Sequence, residues 1–99
     1  MSRLEQLWEF YLDDPGDPFN HYAYALELAK TDKGKAADHL QKLIEDKPDY
    51  LPAYYQAAVL NINLNQDARK NIEQGIEKAK AQNNRKAQNE LQALLDDLD

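Results

Sequence analysis

The feature that most constrains this chain is that it contains its own pattern twice. Phe19, Tyr22, Ala23 and Leu26 recur 35 residues later as Tyr54, Ala57, Ala58 and Asn61. Ala36, Leu40, Leu43 and Ile44 recur 32 residues later as Ala68, Ile72, Gly75 and Ile76. Each group has the spacing of one face of an α-helix. A pattern that returns at such an interval marks a repeat architecture, in which one unit cannot bury its own apolar stripe and must stack on the next. The two intervals differ by three residues, a difference the reading assigns to the turns between paired helices.

Start and stop signals divide the chain into about six helices. Ser2 and Glu5 form an S-x-x-E capping box, followed by Leu4, Leu7, Trp8 and Tyr11 on one face, and Asp13-Asp14-Pro15-Gly16 ends that helix. Asp17 followed by Pro18 opens the second helix. The third starts near Lys33–Lys35 and must stop before Pro48, because the residue before a proline avoids the helical region. The fourth starts near Leu51-Pro52, and its end, Asn61-Ile62-Asn63-Leu64-Asn65, is expected to fray into a turn. The fifth starts near Gln66-Asp67, Asn83-Asn84 breaks it, and the last runs from about Arg85 to Asp97. That last helix is basic at its start and acidic at its end, opposing the helix dipole, so its end is expected to fray. With 3 Gly, 4 Pro and many Ala, Leu, Glu, Gln and Lys in 99 residues, the composition favours helix.

The pattern resembles the tetratricopeptide repeat family, which pairs antiparallel helices in units of about 34 residues. Phe19, Tyr22-Ala23 and Leu26 fit the family's large, large–small, large stripe of helix A. Tyr54, Ala57-Ala58 and Asn61 repeat it with Asn61 in place of a large residue. Ala36 and Ala68 supply the small residue that begins helix B, and Pro48 closes the first unit. The usual turn glycine is absent from both units, with Gly34 displaced and Asn65 near the second site, and no proline closes the second unit at Ala79-Lys80. The resemblance implies an all-α fold of antiparallel helix-hairpin repeats: a capping helix at 2–13, units at 17–48 and 51–82, and a capping helix at 85–98. Small residues let the helices approach and large ones fill the gaps beside them. Trp8, Leu91 and Leu95 are expected to cover the open ends.

The residues give no support for catalysis, which needs a nucleophile beside a base, poised acids or a metal. His21 and His39 lie on different predicted helices, with His21 read as a surface contact near Asp17. Glu73 and Glu77 read as a solvated face, and no phosphate loop or metal motif occurs. No cofactor is expected. The chain has no cysteine, which excludes disulfides and thiolate metal sites. The formal net charge is −6, with 11 acids against 6 bases in residues 1–50 and 7 against 6 in residues 51–99. Such a balance repels phosphate backbones, so nucleic acid is not an expected partner. No apolar run reaches the length of a signal peptide or a membrane span, so a cytoplasmic protein without membrane contact is expected.

The family resemblance further implies a concave surface lined by the A helices. Its groove positions fall on Asn20, His21, Tyr24, Glu27 and Leu28 in the first unit and on Tyr55, Gln56, Val59, Ile62 and Asn63 in the second. Tyr24, Leu28, Tyr55, Val59 and Ile62 would form an apolar patch of the kind that marks an interaction site, unless neighbouring helices bury them. Some family members hold a peptide carboxylate with a Lys/Asn/Arg clamp. The matching positions here are Asn20, Tyr24 and Gln56, without Lys or Arg, so carboxylate-terminated tails are not expected to bind. The expected function is a non-catalytic module that binds an apolar or aromatic segment of a protein partner, with flanking basic residues drawn to Glu27. The alternative is a self-associating, homodimeric element using the groove or the first helix, where Trp8, Phe10 and Leu12 cover more than one face.

Overall fold

A computed structural model describes residues 1–98 as six α-helices: α1 (Arg3–Asp13), α2 (Pro18–Leu28), α3 (Lys33–Asp46), α4 (Leu51–Asn63), α5 (Arg69–Ala81) and α6 (Arg85–Asp97). Each helix packs on the one before and the one after it, and α4 also touches α6. The result is an elongated stack of 42 × 29 × 19 Å.

Apart from α4, which follows Tyr50 without a side-chain cap, the helix starts lie where side chains can accept from otherwise unpaired backbone N–H groups. Ser2 accepts from the Glu5 N–H in a complete capping box, Asp17 accepts from Phe19 with Pro18 next to it, Asp32 accepts from Lys35, and Asn84 accepts from Ala87. Asp67 Oδ1 accepts from the Arg69 N–H at 3.0 Å. Two helix ends use asparagine where glycine is usual. Asn65 (φ 57°) and Asn83 (φ 56°) hold the left-handed conformation, which asparagine tolerates better than most residues. The chain then closes back through Gln66 N–H to Asn61 O at 2.7 Å and Asn84 N–H to Ala79 O at 2.9 Å, the bonds of a Schellman turn. Helix α4 therefore runs on through Asn63. The turn from α2 to α3 needs no such residue, because Thr31 and Asp32 both donate to Leu28 O.

Asn61, at a position where the repeat puts a large residue, belongs to a polar ladder. The buried Asn71 amide donates to Asn61 Oδ1 at 2.9 Å and to Gln41 Oε1 at 3.1 Å, while the Asn61 amide donates to Gln66 Oε1 at 3.0 Å. The ladder joins α3, α4, the following turn and α5. Asn71→Ala leaves two partly covered acceptors without their donor and is expected to cost about 1 kcal/mol in urea unfolding. A neutral result would mean that water replaces the amide freely.

The core consists of Ala25, Leu28, Ala36, Ala37, Leu40, Leu43, Ile44, Ala53, Tyr54, Ala57, Ala58, Leu60, Ala68, Ile72, Ile76 and Leu91. In α3, α4 and α5 it includes the expected stripes. In α2 it does not. Phe19 is 58 % exposed, and Tyr22, Ala23 and Leu26 are half-buried, while His21, Ala25 and Leu28 turn inward. Ala25 has no side chain beyond Cβ, so neighbouring backbone can come close there, and a ring at that position could not be accommodated at the same spacing. With α2 turned this way, Ala25 matches the equally buried Ala58, and the helix starts Pro18 and Leu51 match, at 33 residues. The interval of 35 expected for the A helices is thus corrected, and it now nearly equals the 32 of the B helices. At the open ends, Leu91 is fully buried and Leu95 half-buried, while Trp8 lies at the surface edge of an aromatic cluster.

Candidate functional site

The rotation of α2 decides which side chains face outward. A hollow of about 350 Å³ lies between α2, the start of α4 and the first turns of α6, lined by Tyr22, Leu51, Pro52, Tyr55, Gln56, Asn84, Lys86, Ala87, Glu90 and Leu91. Tyr22 also borders a second hollow of about 280 Å³ between α1 and α2, with Arg3, Leu7, Phe19, Ala23, Leu26, Glu27 and Lys30. The two hollows therefore meet at one tyrosine. Tyr22 and Tyr55 are 33 residues apart, the interval that brings α2 and α4 into register.

Tyr22 is fixed edge-on against Tyr50, ring centroids 5.6 Å apart. Burial raises the phenols of Tyr22, Tyr50 and Tyr54 above the usual tyrosine value. A side-chain hydrogen bond with Gln56 opposes the rise at Tyr22, while Tyr22 and Asp17 add to it at Tyr50 and Asp49 adds to it at Tyr54. All three stay neutral at physiological pH and can both donate and accept. Lys86 and Glu90, one helical turn apart on α6, supply one charge of each sign. This set is suited to stacking and hydrogen bonding. Among the described residues, no group of three or more His, Cys, Asp or Glu is placed to hold a metal ion.

A larger groove of about 510 Å³ runs between α3 and α5, lined by Gln41, Ile44, Glu45, Lys70, Glu73 and Glu77 among others. Its rim is a row of long charged side chains that stay solvated. That groove has one tyrosine, the buried Tyr54, whereas the α2–α4–α6 hollow has two half-buried ones, Tyr22 and Tyr55, and is the better candidate.

The groove residues expected from sequence separate by repeat. In the second unit, Tyr55 and Gln56 line the hollow, Val59 is half-buried beyond them, and Ile62 and Asn63 are exposed at the far end of α4, the Asn63 amide donating to Val59 O. In the first unit, His21 (3 % exposed) and Leu28 are inside the fold, which corrects their placement on a free surface. Tyr24 lies under Trp8, ring centroids 4.9 Å apart. The Asn20 amide donates to Phe10 O and Asp14 O, tying α2 to the end of α1. Tyr24 borders a hollow of about 290 Å³ with Leu4, Glu5, Trp8 and Glu9, and Glu27, paired with Lys30 at 3.0 Å, borders the one between α1 and α2.

Phe19, Tyr22 and Leu26, expected in the core stripe, line the hollows instead, together with Lys86 and Glu90, which the sequence did not single out. The usable signal was the alignment of helix starts, Pro18 with Leu51, in place of the alignment of the largest rings. His21 and His39, expected on different helices with His21 at the surface, meet with Nε2 and Nδ1 2.9 Å apart, His21 buried and His39 half-buried.

No family model and no curated protein matches the chain. Solved structures do. A tetratricopeptide repeat domain protein from Salinibacter ruber, solved by solution NMR, matches with a TM-score of 0.77 at 38 % identity over 84 % of this chain and 88 % of that one. A crystal structure of a tetratricopeptide repeat domain protein from the same organism matches with a TM-score of 0.73 at 36 % identity over 79 % of this chain and 91 % of that one. At this identity and coverage the likeness extends beyond fold to descent, and the chain belongs to the tetratricopeptide repeat family.

Proposed function

We propose that this chain is a non-catalytic interaction module that receives an extended apolar or aromatic peptide segment across the hollow of α2, α4 and α6. The observation that carries the reading is the pair Tyr22 and Tyr55. They occupy matching positions of two repeated helices and form the floor of one hollow. At about 350 Å³ the hollow lies near the lower end of the range for binding sites. Tyrosine offers large rigid contact area for little loss of freedom. The units 17–48 and 51–82 then act as the two repeats, with 2–13 and 85–98 covering their ends. Among the described residues no helix is long and apolar enough to cross a membrane, in keeping with a cytoplasmic setting and a protein partner. The acidic balance disfavours nucleic acid. Lys86 shares its rim with Glu90, which supports the expectation that a peptide carboxylate is not the anchor.

Selection of a displayed peptide library on the immobilised full chain tests this. Enrichment of peptides with aromatic or bulky apolar side chains is expected. Tyr55→Ala combined with Gln56→Ala should weaken the selected peptides about tenfold or more, the scale of an interface hot spot, with an unchanged circular dichroism spectrum. Peptides that bind wild type and variant equally would place the site elsewhere. The homodimer remains the alternative, because Phe10, Leu12 and Phe19 are each more than half exposed. Light scattering of a concentrated sample separates the two: a dimer dispersed by Phe10→Ala combined with Phe19→Ala favours self-association, and a monomer that binds peptide removes it.

A further inference from the structure

We propose that the His21–His39 pair is an acid-sensitive latch that holds α1 on the α2–α3 hairpin. This goes beyond peptide binding and does not depend on it. His21 is buried, and its Nε2 is 2.9 Å from His39 Nδ1. One proton must lie between two nitrogens at that distance. A neutral pair satisfies this with one ring donating and the other accepting. A pair with one added proton still satisfies it, the imidazolium donating to its neutral partner. A pair with two added protons does not, because both facing nitrogens then carry hydrogen and two cations share a covered site.

Helix α1 rests on these rings. The Tyr11 ring stacks on His21 with centroids 4.4 Å apart, and Trp8 meets His39 edge-on at 6.3 Å. Tyr24 fills the corner, 4.9 Å from Trp8 and 5.2 Å from His39. Separating the imidazoles therefore displaces both aromatic anchors of α1. What is left to hold it is mainly Leu7, Leu4 and the Asn20 amide on Phe10 O and Asp14 O.

Burial sets the direction, and the surrounding charges modify it. Burial lowers both imidazoles below their ordinary value of 6.5. For His21, His39 and Lys42 lower it further and Asp46 from α3 opposes them; for His39, Asp38 opposes the effect of burial. From α1 come the Tyr11 phenol and, beside Trp8 and Tyr24, Glu5 and Glu9; α2 adds the Tyr24 phenol. Well above pH 6.5 the rings are neutral whether α1 is docked or free, and acid does not oppose docking. Below it the free rings take up two protons where the docked pair accommodates one, so docking weakens as pH falls through the lowered values. Each pH unit below the midpoint raises the open-to-closed ratio about tenfold per proton taken up.

Trp8 is the only tryptophan and reports on α1 directly. Its emission in the full chain, titrated between about pH 8 and pH 5, is expected to change with a midpoint below the ordinary histidine value. Over the same range, hydrogen-exchange protection of α1 amides, corrected for intrinsic rate, should fall about tenfold or more relative to α4 amides. In His39→Gln, where an amide can accept from a protonated His21, both changes should disappear. The wild-type imidazole nitrogen resonances provide a readout that needs no variant, and they should show the rings sharing their first proton. The proposal is overturned if Trp8 emission and α1 protection are unchanged by acid, or change equally in His39→Gln. It is overturned too if α4 loses protection together with α1, or if the two imidazoles titrate singly at the ordinary value.

Discussion

Tyr54→Ala is expected to remove about 3–5 kcal/mol of stability, the range for truncating a large buried aromatic side chain. Tyr54 is 2 % exposed and sits where α4, α5 and the Leu91 side chain of α6 converge. Its hydroxyl donates to Pro48 O at 2.6 Å, so the ring also anchors the segment that joins α3 to α4. Truncation empties the space between helices and frees that segment together. A domain of ordinary stability has about 5–15 kcal/mol in total, so the variant should be close to unfolding at physiological temperature. Urea unfolding followed by circular dichroism measures the loss. Tyr54→Phe separates the two contributions, since it keeps the ring and drops only the hydrogen bond, at about 1 kcal/mol. A loss below about 1 kcal/mol for Tyr54→Ala would mean that the ring is not enclosed.

The second large effect comes from adding a single methyl group. Taken by itself, Gly75→Ala should help, because alanine in a helix interior is favoured over glycine by about 1 kcal/mol. The structure reverses the sign. A Cβ at Gly75 would lie 2.8 Å from Tyr54 Cβ and 2.8 Å from Leu91 Cδ1. The leucine methyl ends a flexible side chain and can turn aside. Tyr54 Cβ is fixed to the α4 backbone, so α4 and α5 must separate. Overpacking of this kind costs about 1–3 kcal/mol, and a lower thermal midpoint is expected, by roughly 4–8 °C per kcal/mol for a domain of this size. A Gly75→Ala variant more stable than wild type would contradict the close approach. The same contact explains why the repeat places glycine at 75 against the larger Leu43.

Much of this architecture was legible because helix ends are written in local chemistry. Ser2 with Glu5, Asp17 with Pro18, and Asn65 in place of a turn glycine need no tertiary knowledge, and each stands where its side chain or backbone conformation requires. On α4 the family register placed Tyr55 and Gln56, which line the hollow, while Ile62 and Asn63 lie beyond it. Helix α2 carries polar residues at the same seven-residue spacing, Asn20 and Glu27, but its largest rings looked like the best candidates for burial. Close helix approach selects small residues as strictly as large ones, and Ala25 took the centre while Phe19 stayed outside. The contact of His21 with His39 was beyond reach for another reason: it joins two helices through their packing angle, and no spacing along one helix encodes it.

A chain in which each helix leans chiefly on its neighbours in sequence has few distant ends to bring together before its interactions begin to form. Chains built from such local contacts fold quickly, in microseconds to milliseconds. Each helix made here finds its main partner already present in the preceding one, so packing can extend in the order of the sequence.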